Sequence, residues 1–391
     1  MTNKQKQENC LKLGVLSSFN VNDLDSTFRF YDDYFKEYNK KLPCELYVLM
    51  QSAVKELQEK YLDLFKLQEF PTALKFLADC NQTEVIMADF IQHAINKSNI
   101  KTDPVCIQGK INDSNVDIVS FASFFPDLSS DPECDAAKLT RHAVCFMAKL
   151  ALELRKRGHQ EFKTIELVAG ALVKNPVVDK NQEGQKIIRV SIIDQDTART
   201  NIIGNLCLIM SDINKLNKND NDDPLTFALE IEPGPLYATN DFDSIVRLCS
   251  ALDDKPCLRN VGVNLDIAHW NIALHHNQLV RADILQSLRH ENKHVFRRIC
   301  HAHISGYHRA AHFGDLPIYK SSPPNSSLKN KWEDSFSEWI KLLNDRMIDQ
   351  EDDPHSYTDR PRCSGYVICE LEAISDASSI KDTIETLRCY L

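Results

Sequence analysis

From about residue 116 onward, the sequence alternates short apolar runs with longer amphipathic stretches. Segments 116–125 and 164–170 resemble buried strands, whereas 135–158 places its apolar residues at the spacing of one helix face. Four more strand-like runs follow at 225–234, 261–269, 297–306 and 365–373, separated or followed by helical patterns at 241–252, 278–294, 332–347 and 376–391. Because this alternation produces a parallel sheet covered by helices, an α/β fold is predicted.

The N-terminal third gives a weaker signal. Residues 11–19 are predicted to form a first strand, 45–80 mostly amphipathic helix and 83–95 a further helix, while the second strand cannot be placed. Three polar stretches are predicted to be loop insertions: 174–186, 214–224 and 313–331. A (β/α)8 barrel has about 250 residues, so a barrel of 391 residues carries additions. We expect a single (β/α)8 TIM-barrel domain over 1–391 with loop insertions and an extended helical N-terminal part, in which 1–115 is only weakly assigned.

Composition narrows the class of protein. Hydrophobic residues make up 43% of the chain and charged residues 26%, as in soluble globular domains. The formal net charge of −10 argues against a general nucleic-acid binder, because phosphate binding needs a basic face. The sequence shows neither the apolar core of a secretory signal nor an apolar stretch of about 20 residues, and its 13 scattered cysteines form no C-x-x-C pair. We therefore expect a cytoplasmic protein that binds no membrane; a homo-oligomer is left open.

Four of the predicted strands carry a polar residue near the C-terminal end, on the face opposite their apolar residues. Successive side chains of a strand point to opposite faces. This parity places Glu230, Asp266, His303 and Glu370 on the inward faces, where Glu232, His301 and Glu372 also lie. Buried carboxylates are costly unless they are paired or bind metal, and the C-terminal mouth of a (β/α)8 barrel carries its catalytic residues. The sequence therefore predicts that the four side chains converge on one divalent metal ion.

Three carboxylates and one imidazole form an oxygen-rich donor set. Such a set favours Mn²⁺ or Mg²⁺, and Zn²⁺ or Co²⁺ also fit. Glu232 and Glu372 share the inward faces of their strands, so either could replace the glutamate two residues before it as a ligand. The alternative without metal is that all four are structural groups in salt-bridged positions.

The segments that contain these residues resemble strands five to eight of the xylose-isomerase-like TIM barrels. They read LEIEPGP, GVNLDIAHWNIA, HAHISGYHRAAHFGDLPI and VICELEA. This superfamily includes sugar isomerases and epimerases and the endonuclease IV type of apurinic endonuclease (AP endonuclease family 2). The resemblance covers roughly 116–391 and implies a (β/α)8 barrel. The metal ligands that it implies are Glu230, Asp266, His303 and Glu370.

The resemblance implies a metal-dependent isomerase or epimerase for a small polyhydroxylated substrate, such as a sugar, a sugar phosphate or a related hydroxyketone. Glu230 and Glu370 would be the catalytic residues, one removing a proton from carbon and the other returning it through a metal-bound enediolate. The expected substrate-binding residues are His269, Trp270, His308, Arg309 and His312. Trp270 fits a packing role equally well, and His308 fits an ordinary loop histidine.

Two other functions stay open. Endonucleases of the superfamily assemble three zinc ions with additional histidines from earlier strands, whereas 116–125 and 164–170 contain no histidine. That departure favours a single metal. A barrel that keeps the metal site but acts as a scaffold is the third class. An H-E-x-x-H match at His290 and His294 lies at a helix end before strand seven, on the stability face of a barrel, and is interpreted as a solvated helix end.

Overall fold

The computed structural model of the protein describes twelve sets of residues: 11–17, 24–50, 116–124, 126–156, 160–180, 186–216, 224–308, 313–316, 318, 333–358, 360–371 and 377–391. The strands in these residues are β1 (Lys12–Leu16), β2 (Pro43–Met50), β3 (Asp117–Phe124), β4 (Thr164–Val168), β5 (Val173–Lys180), β6 (Lys186–Ile192), β7 (Thr226–Glu230), β8 (Val261–Asp266), β9 (Ile299–Ile304), β10 (Gly306–His308), β11 (Phe313–Leu316) and β12 (Tyr366–Cys369). The α-helices are α1 (Leu24–Tyr38), α2 (Asp135–Lys156), α3 (Gln195–Leu216), α4 (Phe242–Asp253), α5 (Ile267–His276), α6 (Arg281–Arg289), α7 (Lys293–Arg298), α8 (Glu333–Asp352) and α9 (Ala377–Leu387).

Eight of the strands form a closed barrel in the order β1-β12-β9-β8-β7-β4-β3-β2. All neighbouring strands in this barrel are parallel. The (β/α)8 fold expected from the sequence is therefore confirmed. Strands β5 and β6 form an antiparallel pair outside the barrel, and so do β10 and β11. Among the described residues, none of the helices has the length and apolar content that a bilayer span requires.

The second barrel strand lies where the sequence indicated the beginning of a helix. Residues 43–50 form β2, so the helix predicted over 45–80 is wrong for its first residues, and the rest of that segment and 83–95 lie outside the described residues. The segment CELYVLM is rich in the apolar and aromatic residues that strands favour. The strand is short and is followed by a sequence with helical periodicity, so the sequence pattern predicted one helix over both.

Three further boundaries differ from the sequence prediction. Most of 174–186 forms strand rather than loop, because β5 and β6 pair with each other. The strand predicted over 261–269 ends at Asp266, whose side chain caps α5. The helical pattern at 278–294 is split between α6 and α7.

The barrel interior is divided into an apolar and a polar part. A cluster of buried apolar side chains lies apart from the main core: Leu16, Val119, Ala122, Tyr366 and Ile368. Strand register places Leu16 beside Glu45 and Ile368 beside His303, so this cluster shares the interior with polar residues. The main core lies between the strands and the surrounding helices, and includes Phe227 and Val263. The polar part of the interior is where the candidate site is built.

Gly262 allows β8 and β9 to approach closely beneath the site. A Cβ atom at this position would lie 2.3 Å from the carbonyl oxygen of Arg298 and 2.7 Å from Sγ of Cys300. We therefore expect Gly262→Ala to lower the free energy of unfolding by about 1–3 kcal/mol, measured by urea denaturation. Gly234→Ala is the matched control, because a Cβ there meets its nearest neighbour at 3.5 Å. Equal stability of the two variants would contradict this account of the strand packing.

Candidate metal centre

The four residues predicted to bind metal lie together inside the barrel. One ligand atom from each of Glu230, Asp266, His303 and Glu370 lies within 4.8 Å of the others. Glu230 and Asp266 are the last residues of β7 and β8, His303 is the penultimate residue of β9, and Glu370 directly follows β12. The group therefore lies at the C-terminal end of the barrel, where enzymes of this fold place their chemistry.

Asp266 is held in place by the helix that follows it. Its Oδ1 accepts a hydrogen bond of 2.6 Å from the backbone N–H of His269, as the N-cap of α5. Its Oδ2 is buried and has no hydrogen-bond partner among the described residues. Since a buried carboxylate oxygen without a partner is costly, this atom is well suited to contact a cation.

His303 is the only nitrogen ligand of the predicted set. Its Nδ1 lies 2.9 Å from Oε2 of Glu370 and 3.5 Å from Oε1 of Glu230. Its Nε2, on the other edge of the ring, lies 2.8 Å from Oε2 of Glu45. Although burial alone would lower the pKa of His303, the carboxylates of Glu45 and Glu370 hold it well above its usual value. In the metal-free protein the imidazole is therefore an imidazolium that bridges carboxylates.

Glu45 and His301 also belong to the polar interior; Glu45 was missed in the sequence, whereas His301 shares the strand parity of His303. Both side chains are fully buried, and Nε2 of His301 lies 3.1 Å from Oε1 of Glu45. Burial would raise the pKa of Glu45, but the neighbouring His301 and His303 lower it overall, so this residue is a carboxylate. The available signal was a single acidic residue within the apolar run CELYVLM, the same pattern that identified the predicted ligands.

Glu166 is a second missed carboxyl group. It lies on β4 and is 2% exposed, and its Oε2 accepts a hydrogen bond from the backbone N–H of Ser123. Burial and the nearby Glu230 raise its pKa well above the usual value. The pKa of Glu230 itself is lowered, because the hydrogen bond and charge of His303 outweigh the effect of burial. Burial and the neighbouring Glu230 thus favour the protonated form of Glu166, and His303 favours the ionised form of Glu230.

Solvent reaches some members of the group more than others. The side chains of Glu230 and Glu370 are 6% and 9% exposed, whereas that of His303 is 1% exposed. Asp266 is fully buried. A ligand that enters from solvent would therefore meet the two glutamates first, with His303 and Asp266 behind them.

Of the predicted substrate-binding residues, the structure brings His269 to the site. Its Nδ1 donates a hydrogen bond to the carbonyl oxygen of Ile231 and lies 3.7 Å from Oε1 of Glu230. Trp270 packs between Phe242 and Trp339 and is 1% exposed, so the structure supports the packing role that the sequence also allowed. Because Asp266 ends the strand, the residues after it follow helical geometry, and Trp270 faces the core.

The structure describes some of the remaining predicted residues and leaves others outside its described ranges. Glu232 is half-buried, and one of its carboxylate oxygens lies within 4.8 Å of ligand atoms of Glu230 and His269, so its place as an alternative ligand stays open. His308 belongs to β10 by its backbone. Outside the described residues lie Arg309, His312 and Glu372.

The H-E-x-x-H motif does not form a zincin helix. His290 follows the end of α6, and His294 lies in α7. Nε2 of His294 lies 3.3 Å from Oγ of Ser250, on α4. The two histidines therefore do not share the single helix that this motif requires.

The donor set fits a divalent cation. Three carboxylates and an imidazole provide the charge and the oxygen and nitrogen atoms that Mn²⁺, Mg²⁺ or Zn²⁺ binds in proteins. The unpaired Oδ2 of Asp266 is a ligand atom that no described protein group satisfies. The contact between His303 and Glu370 holds a proton that a cation could replace.

No family model matches the chain, and no curated protein matches it. Similar solved structures include the IolI protein with a bound zinc atom (12% identity, 97% of this chain and 98% of that one, TM-score 0.49) and a D-tagatose 3-epimerase-like protein (14% identity, 97% and 98%, TM-score 0.48). Another is AP endonuclease, family 2, from Brucella melitensis (11% identity, 97% and 99%, TM-score 0.44). At these identities and TM-scores the similarity carries no conclusion about family or function, and the geometry of the site has to supply the function.

Metal content tests the donor set directly. We expect the wild-type protein, incubated with Mn²⁺ and desalted, to retain about one equivalent, and Glu230→Gln/Asp266→Asn to retain little, because two anionic ligands are lost. The measurement is elemental analysis by mass spectrometry. The matched control is Glu291→Gln/Asp283→Asn, which makes the same substitutions at exposed positions in and after α6. Equal metal content in both double variants would contradict the assignment.

The protonated Glu166 predicts a pH-dependent effect on stability. The pKa of Glu166 in the folded protein is raised above its unfolded value of 4.5. The protonated side chain therefore contributes fully to stability below pH 4.5, and this contribution is lost as the pH rises toward the folded-state pKa. Glu166→Gln cannot ionise, so we expect it to be more stable than wild type near pH 8 and similar near pH 5. Urea midpoints measured in the presence of a chelator give the comparison. A difference independent of pH would argue against a neutral Glu166.

Proposed function

We propose that this protein is a metal-dependent isomerase or epimerase that moves a proton on a small polyhydroxylated substrate, such as a sugar, a sugar phosphate or a related hydroxyketone. The observation that carries the proposal is the convergence of Glu230, Asp266, His303 and Glu370 at the C-terminal end of the barrel. Three anionic ligands and one nitrogen favour Mn²⁺ or Mg²⁺, and Zn²⁺ or Co²⁺ are accepted by the same atoms.

All four ligands would hold the cation, and two of them, Glu230 and Glu370, would contact the substrate. When bound there, a divalent cation supplies Lewis-acid polarisation of a carbonyl group and stabilises the negative charge that develops on its oxygen. Asp266 and His303 are buried and fixed by hydrogen bonds, so they anchor the site. Glu230 and Glu370 keep a small exposed fraction of 6% and 9% of their side chains, so they are the members that a substrate carbon would approach.

The two glutamates can divide the proton transfers between them. The lowered pKa of Glu230 keeps it ionised, as a base that removes a proton from carbon must be. Glu370 comes from a different strand of the barrel and flanks His303 together with Glu230, so it can return a proton to the substrate. For the transfers to balance, Glu370 has to enter the cycle protonated: Glu230 takes up one proton, Glu370 gives one, both then exchange protons with solvent, and no redox partner is needed. His269, beside Glu230, is placed to hydrogen-bond a substrate hydroxyl group.

The interior residues of the earlier strands bear on the endonuclease alternative. That alternative needs further histidines from these strands, whereas the interior positions of β3 and β4 carry Ser120, Ala122 and Glu166. Neither serine nor a protonated glutamic acid is a favoured zinc ligand. This supports a single-ion centre over the three-zinc centre of the endonucleases.

Exchange of a carbon-bound proton with solvent tests the proposed reaction. The Mn²⁺-loaded protein is incubated in deuterated buffer with a panel of ketoses, aldoses and their phosphates, and NMR follows the loss of C–H signals. We expect exchange, and isomer formation, with at least one member of the panel. Glu230→Gln and Glu370→Gln should each lower the rate by about 10²–10⁴-fold, because general acid–base catalysis contributes that much.

Glu232→Gln is the matched control for Glu230→Gln, because the two positions lie on the same inward face. If Glu230 is the ligand and base, Glu232→Gln keeps metal and most of the exchange rate. If Glu232→Gln loses metal binding and proton exchange while Glu230→Gln keeps them, Glu232 is the ligand in place of Glu230. A wild-type protein that binds metal but exchanges no proton across the panel contradicts the isomerase proposal and favours a scaffold.

A further inference from the structure

A buried chain of hydrogen bonds runs behind His303, on the side away from the other predicted ligands. Its centre is Glu45, a fully buried residue of β2. Oε2 of Glu45 lies 2.8 Å from Nε2 of His303 and 3.3 Å from Nε2 of His301, and its Oε1 lies 3.1 Å from the same atom of His301. The carboxylate therefore accepts hydrogen bonds from two imidazoles, and nothing in the proposed reaction uses it.

The outer end of the chain is formed by Ser364, which holds the ring of His301. The backbone N–H of Tyr366 donates to Oγ of Ser364 at 3.2 Å. The same oxygen lies 3.2 Å from Nδ1 of His301. Because a carboxylate can only accept, Nε2 of His301 donates to Glu45. Ser364 and Glu45 thus contact the two nitrogens of His301 and fix its orientation.

The inner end of the chain determines how His303 meets the predicted ligand group. A carboxylate can only accept, so Glu45 requires the proton of His303 to be on Nε2. The other nitrogen, Nδ1, lies 2.9 Å from Glu370 and 3.5 Å from Glu230, on the side of the predicted ligands. A cation at the group would replace the proton on Nδ1, while the hydrogen bond at Nε2 stays in place.

We propose that Glu45 is a positioning residue that holds the proton of His303 on Nε2 and so presents Nδ1 as the nitrogen ligand of the cation, with His301 and Ser364 fixing the orientation of Glu45. The inference rests on the proposed metal centre. Carboxylate partners of this kind orient metal-bound histidines and make the ligating nitrogen more basic, and their loss weakens metal binding by about 10–100-fold.

A second metal ion is the competing use of the same atoms. Glu45, His301 and His303 also bring ligand atoms within 4.8 Å of one another. An ion there would have to take Nε2 of both histidines, and would remove the proton that each donates to Glu45. Since the hydrogen bonds already satisfy all of these atoms in a fully buried position, the positioning role is favoured.

The test uses graded substitutions and a probe of each histidine nitrogen. Glu45→Met removes both acceptor oxygens at similar volume, whereas Glu45→Gln keeps one. Ser364→Ala is a milder change that removes the hydroxyl group in contact with Nδ1 of His301, together with the acceptor of the Tyr366 backbone N–H. Thr164→Val is the control, because it alters another buried polar side chain of a barrel strand, at the start of β4 and outside this chain of hydrogen bonds. Cd²⁺ affinity is measured by calorimetry, and ¹⁵N-histidine NMR of the Cd²⁺-loaded proteins identifies the metal-bound and the protonated nitrogen of His303.

We expect wild type to bind one Cd²⁺ through Nδ1 of His303, with the proton on Nε2. Affinity should fall by about 10–100-fold in Glu45→Met, less in Glu45→Gln and Ser364→Ala, and not in Thr164→Val. If Glu45→Met does not fold, Ser364→Ala and Glu45→Gln decide the question through the same two readouts.

Three results would overturn the inference. Unchanged affinity and unchanged Nδ1 ligation in the Glu45 and Ser364 variants would limit Glu45 to a structural role and leave the proposed metal centre standing. Binding of two Cd²⁺ ions by wild type and one by the Glu45 variants would make this group a second metal site. No binding by wild type would remove the proposed function and the inference together.

Discussion

The burial of several carboxyl groups in one part of the barrel interior is the constraint on which the site depends. Five such groups are buried there: Glu45, Glu166, Glu230, Asp266 and Glu370. Five like charges at close range in a poorly polarisable interior would repel one another strongly. The protein reduces this repulsion by keeping Glu166 protonated and by placing the imidazolium of His303 between three carboxylates. A divalent cation would complete the compensation.

The fold supplies the positions at which this charge can be concentrated. Parallel strands end at one edge of the barrel, so residues of β7, β8, β9 and β12 that are distant in sequence meet there. The apolar cluster around Leu16 and Ile368 fills the rest of the interior. The polar part is thus enclosed by close-packed side chains, and Glu230 and Glu370 lie where solvent can reach them.

Much of this arrangement was predictable because the strands that carry it have simple patterns. Near the ends of β7 and β8 an acidic residue interrupts an apolar alternation, and parity places Glu230 and Asp266 inside the barrel, although the resemblance was needed to prefer Glu230 to Glu232. Glu45 shows the same pattern, but its strand runs into a sequence with a helical period, and the strand was not recognised. Glu166 was within a predicted strand, yet only contacts in three dimensions show that Glu230 lies beside it and keeps it neutral. The direction of Trp270 depended on where β8 ends, and the hydrogen bond from the backbone of His269 to Asp266 sets that boundary.

The central claim is that one cation is bound by Glu230, Asp266, His303 and Glu370. Anomalous diffraction from crystals of the Mn²⁺-loaded protein tests it most directly, because it locates the ion without reference to activity. The account predicts one strong anomalous peak bounded by Nδ1 of His303 and the carboxylates of the three acidic residues. A peak between Glu45 and His301 instead, or none inside the barrel at full Mn²⁺ loading, would contradict it.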